Sequence, residues 1–91
     1  METIWMTHEE MIDDMKNMDT FNQIQTLTIR GNIQFDQLPN NLKYLDCFNN
    51  QLSKLPDLPN KLTYLNCSNN QLSGLPNLPN TLIYLDCRYN Q

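Results

Sequence analysis

A twenty-residue step runs through the second half of the chain and limits what it can fold into. Residues 41–60 and 61–80 agree at 14 of 20 positions. The unit reads NLKYLDCFNNQLSKLPDLPN, then KLTYLNCSNNQLSGLPNLPN, then TLIYLDCRYNQ, which is eleven residues of a further copy. A degenerate earlier copy places Ile24, Leu27, Ile29 and Asn32 at the mutual spacing of Leu42, Leu45, Cys47 and Asn50, with a step of 18 residues. Self-similarity at this period indicates a stack in which each unit buries its apolar side against its neighbours. A composition of 14 Leu and 14 Asn with no Ala or Val fits such a schedule and departs from ordinary globular usage.

Within a unit, alternation predicts one short strand. Leu45 and Cys47 fall on one side of it, and Tyr44, Asp46 and Phe48 fall on the other. Copies in register make these strands parallel. Pro56, Pro59, Pro76 and Pro79 exclude helix interior and central strand, so the return path is expected to be extended, polyproline-like or a short 3-10 turn. Leu52, Leu55 and Leu58, three apart, would close the core from that side.

Each copy carries L-x-x-L-x-C-x-x-N-x-L, and over about residues 22–91 this resembles the leucine-rich repeat, with Cys at an aliphatic position. The Leu-Pro-x-Leu-Pro halves are similar to the short twenty-residue class of bacterial effectors and some large DNA viruses. The resemblance implies a repeat solenoid with a concave parallel sheet. The expected organisation is an acidic N-terminal segment over 1–21, a degenerate repeat over about 22–41, repeats over 42–61 and 62–81, and a shortened one over 82–91.

Asn32, Asn50, Asn70 and Asn90 recur where the chain leaves the strand, and their amides can satisfy backbone groups that the turn would bury. By resemblance they form the family's structural asparagine ladder. Asn49 and Asn69 read as polar turn residues. Cys47, Cys67 and Cys87, at equal steps of twenty, form a column in which a tetrahedral zinc cage does not fit, so they are expected to act as small buried hydrophobes and no metal or cofactor is assigned. The Asn66-Cys67-Ser68 sequon is expected to be fortuitous.

On the opposite side, Tyr44, Tyr64 and Tyr84 form an aromatic column beside Asp46, Asn66 and Asp86 and the variable Phe48, Ser68 and Arg88. These nine residues are the candidate protein-binding face. Two readings of the tyrosines stay open: anchors for a partner, or neighbours that stack to stabilise the sheet.

Residues 1–20 carry −5 of the net charge of −4 and the remainder +1, with no Lys/Arg cluster to neutralise phosphates. Nucleic acid and anionic membranes are therefore not expected partners. The N-terminal segment reads as an amphipathic helix with a capping box from Thr7 to Glu10 and a stripe of Met11, Ile12, Met15 and Met18. It would cover the first edge of the solenoid, with Ile4 and Trp5 packed nearby, or bind a partner through its methionines. His8 has no companion ligand or nucleophile and is assigned no chemistry.

The functional expectation is a non-catalytic module that binds a protein through its concave sheet. Alternatives are the recognition fragment of a ubiquitin-ligase-type effector, which the resemblance brings in, and a shortened family member with little activity of its own. Reduced cysteines and the lack of a signal sequence point to the cytoplasm or a host cytosol. The last strand, Tyr84 to Arg88, has no following copy in the sequence, so self-association through that edge is expected.

Overall fold

The computed structural model describes the backbone of residues 3–6, and residues 21–29 and 37–90 in full. Five strands, β1 (Thr3–Met6), β2 (Thr26–Ile29), β3 (Tyr44–Asp46), β4 (Tyr64–Asn66) and β5 (Tyr84–Asp86), form one sheet in sequence order. All neighbours are parallel, and the register pairs Thr26 with Tyr44, Tyr44 with Tyr64 and Tyr64 with Tyr84. One turn of chain thus advances the stack by one strand, which a parallel sheet with short connections requires.

β1 is a strand that the sequence reading did not expect. Residues 3–6 pair with β2, Ile4 opposite Leu27 and Trp5 opposite Thr28. Thr, Ile and Trp suit a pleated surface, but four residues without a copy elsewhere give no periodic signal. The helix expected from Thr7, with its methionine stripe, lies outside the described residues, as does Asn32. Among the described residues there is no α-helix, only a 3-10 turn at Phe21–Gln23.

The core is a column of repeat-equivalent side chains. Leu42, Leu45, Cys47, Leu52, Leu62, Leu65 and Cys67 are fully buried, with Phe21, Ile24, Leu27, Ile29, Leu38, Leu55 and Leu72 beside them. Burying each leucine contributes about 1.5–3 kcal/mol, which is how so short a strand is held. On the convex side residues 54–59 and 74–79 are neither helix nor strand, and Leu58 packs against the core from there. The return ends in a tight turn after its last proline: the Leu42 N–H donates to the Pro39 carbonyl at 3.2 Å, Leu62 to Pro59 at 3.3 Å and Leu82 to Pro79 at 3.2 Å.

Burial fails in the last coil. Leu45 and Leu65 are sealed, whereas the equivalent Leu85 is 37% exposed. Cys87 is exposed while Cys47 and Cys67 are buried, so the expected column of three buried thiols holds for only two. Ionisation follows burial: desolvation pushes the Cys47 thiol far above its ordinary value and Cys67 up to about 11, the neighbouring sulfurs adding to the effect.

Candidate concave site

The register places Tyr44, Tyr64 and Tyr84 side by side on the face opposite the core. Their rings stack almost parallel, with centroids 4.1 Å apart and 6° between planes for the first pair, and 4.5 Å and 5° for the second. The strand spacing of about 4.8 Å sets this distance. Ring faces between neighbours are therefore consumed by stacking, and the column offers a partner its edges and hydroxyls. Partial burial and the Tyr44 hydroxyl push the Tyr64 phenol up to about 12, so it stays a neutral donor over the physiological range. Of the two readings of the tyrosines, the stacking one is present in the column.

Asp46, Asn66 and Asp86 are committed to their own coil. Asp46 Oδ1 accepts the Phe48 N–H at 3.4 Å, and Asn66 Oδ1 accepts the Ser68 N–H at 3.1 Å and its hydroxyl at 2.7 Å. Asp86 accepts the Arg88 N–H at 3.2 Å and its guanidinium at 3.0 and 2.9 Å. Each carboxylate or amide closes a local turn two residues on, an arrangement Asx side chains favour. The Arg88 guanidinium holds the Asp86 carboxyl below the usual carboxylate range. Along this flank Phe48 and Ser68 are half-buried, and the Arg88 side chain, though paired with Asp86, is largely exposed.

The strand exits are held by Asn50, Asn70 and Asn90. The Asn70 Nδ2 donates to the carbonyls of Cys67 and Ser68 in its own coil, at 3.0 and 3.1 Å, and of Cys47 in the preceding one, at 3.1 Å. Its Oδ1 accepts the N–H groups of Asn50 and Leu52, both at 2.9 Å. Asn50 reaches Cys47 and Phe48 in the same way and crosses to Ile29 at 2.8 Å. That crossing spans 21 residues where the later ones span 23, so the two residues missing from the first copy leave the crossing intact. Asn90 repeats the pattern and accepts the Leu72 N–H at 3.0 Å. No buried side-chain polar atom among the described residues is left unpaired.

The residue before each of these asparagines does more than the polar-turn reading gave it. Asn49, Asn69 and Tyr89 have φ of 59°, 57° and 60°. This left-handed conformation is tolerated by Asn and disfavoured in a bulky residue. The Asn-Asn pair thus divides two tasks, the first residue turning the backbone and the second satisfying it.

Elsewhere, two open grooves of about 460 and 310 Å³ lie along the proline-rich return path and share Asp57, Leu58 and Asn60. Sequence periodicity gave no hint of them. No group of three or more His, Cys, Asp or Glu positioned to hold a metal occurs among the described residues, nor any helix long and apolar enough to cross a membrane.

A short parallel-β solenoid with an asparagine at each strand exit defines a class of repeat protein. Residues 41–62 and 61–82 each match the Leucine Rich Repeat family model. The chain therefore carries consecutive leucine-rich repeats, a fold that generally serves non-enzymatic interaction with other proteins. No curated protein and no solved structure matches the chain.

Proposed function

We propose that the chain is a non-catalytic protein-interaction module whose contact surface is the concave sheet face. The observation that carries this reading is the stacked row of Tyr44, Tyr64 and Tyr84, with Phe48, Ser68 and Arg88 varying along one flank. A constant rigid row gives area at low entropic cost, and a variable flank gives discrimination. A reducing compartment, cytoplasmic or host cytosolic, matches the free Cys47, Cys67 and Cys87.

The test compares proteins captured from the native cell by the wild-type chain, by Tyr64→Thr and by Asp57→Asn. Thr keeps strand propensity, and Asp57 lies on the return path away from the concave face. A partner retained by wild type and Asp57→Asn and lost by Tyr64→Thr, with each variant still folded at the temperature of the assay, supports the reading. An identical set from all three chains contradicts it.

A further inference from the structure

Three coils place an acceptor at the same strand position on the tyrosine face and differ in the residue that follows it by two. In one, Asp86 is held by Arg88, whose Nε donates to Oδ1 at 3.0 Å and whose Nη2 donates to Oδ2 at 2.9 Å. In the coil before it, Asn66 Oδ1 accepts the Ser68 hydroxyl at 2.7 Å. In the coil before that, the residue two on is Phe48, which has no side-chain donor to offer. Asp46 Oδ1 accepts only the Phe48 N–H, at 3.4 Å, and among the described residues Oδ2 accepts nothing. Its neighbours across the sheet, Thr28 and Asn66, carry no charge. The half-buried Asp46 carboxylate is felt around it: after burial and Tyr44, its charge adds to the upward push on the Tyr64 phenol, and after burial and Cys67 it adds to that on the Cys47 thiol.

We infer that Asp46 is the charged anchor of the concave site and receives an arginine side chain of the protein partner, whose guanidinium donates to both carboxylate oxygens as that of Arg88 does to Asp86. The inference rests on the concave-face reading above and adds the chemistry of the partner. The Asp86 pair shows that the fit is possible. Asp86 Oδ1 accepts a backbone N–H two residues on, at 3.2 Å, and still takes the Arg88 Nε; Asp46 Oδ1 is engaged by the same backbone contact and no more. A planar fork of donors matches two carboxylate oxygens, whereas an ammonium is a point charge, so arginine is favoured over lysine.

The rest of the face leaves this carboxylate as its point of attraction for a cation. Ring faces between neighbouring tyrosines are taken up by stacking at 4.1 and 4.5 Å, so a guanidinium cannot lie between them. Asn66 with Ser68 is neutral, and Asp86 already has its cation. The net charge of −4 on the chain steers a basic segment in the same direction during encounter.

Random peptides displayed on phage and selected on the wild-type chain test this. Selected sequences should hold arginine in excess of lysine. A synthetic copy of the strongest should lose about ten-fold or more in affinity when citrulline, which keeps the shape without the charge, replaces its arginine, and by a similar factor against Asp46→Asn. Asn66 closes the same turn two residues on, so Asp46→Asn keeps its fold. Phe48→Arg should also lose the peptide, because the chain then supplies the cation itself, whereas Phe48→Ser should lose less. Selection that yields no peptide, peptides without arginine, or equal binding to wild type and Asp46→Asn overturns the anchor. Arg30, two residues past the Thr28 that pairs with Asp46, lies outside the described residues. If Arg30→Gln raises the pH at which the Asp46 carboxyl titrates by carbon-13 NMR, the chain provides its own counter-ion and the anchor is overturned too. Cellular partners lost by Tyr64→Thr but kept by Asp46→Asn leave the concave site standing without this anchor. An Asp46-dependent peptide beside an unchanged cellular set with Tyr64→Thr overturns the concave-face reading and leaves the arginine chemistry.

Discussion

Asn70 joins two coils at once, and its removal strands groups on both. Asn70→Ala deprives the Asn50 and Leu52 N–H groups of their acceptor and the Cys47, Cys67 and Ser68 carbonyls of a donor. A loss of about 2–3 kcal/mol is expected in chemical denaturation. Its neighbour acts through the backbone: Asn69→Ala puts a Cβ-bearing residue without Asn's local bonding at φ 57° and should cost about 1 kcal/mol, with Asn69→Gly close to neutral. By the same reasoning Tyr89→Asn, at φ 60°, should stabilise the chain by about 1 kcal/mol. Cys67 and the more deeply buried Cys47 both make the stack sensitive to alkali. The Cys67 thiol is raised from 9.0 to about 11, chiefly by burial, so the unfolded state loses the proton first as pH rises. The Cys67 contribution should be intact below pH 9.0 and be lost between there and about 11, so Cys67→Ser should make the alkaline slope shallower in denaturation measured against pH, with Cys47 supplying the rest.

At the scale of the element, equivalent leucines need not be energetically equivalent. Leu65 is sealed by a coil on either side, and Leu65→Ala should cost about 2–5 kcal/mol. Leu85, 37% exposed in the same strand position, should cost less than half as much when replaced by Ala. Strand position, inward residues and asparagine crossings were legible in the sequence because period two inside period twenty leaves one consistent solution. β1 was not legible: Thr3–Met6 has no copy to align with, and its pairing to β2 is a tertiary choice. The roles of Asp46, Asn66 and Asp86 were hidden for another reason. Alternation correctly puts them on the tyrosine face, but it says nothing of a side chain that bends back to the N–H two residues on.

For the whole molecule, stability is one-dimensional: each coil depends on its neighbours, and the stack is weakest where a neighbour is missing. The central claim is that backbone groups at equivalent positions are paired according to their place in the stack. Amide hydrogen exchange reads this residue by residue. In dilute solution the N–H groups of Cys47, Asn50, Leu52 and Cys67, each bonded to the next coil, should exchange only on global unfolding, and those of Cys87 and Tyr89 should exchange orders of magnitude faster. Equal protection at Cys47, Cys67 and Cys87 in dilute solution, or fast exchange at Asn50 and Leu52, would contradict the stack.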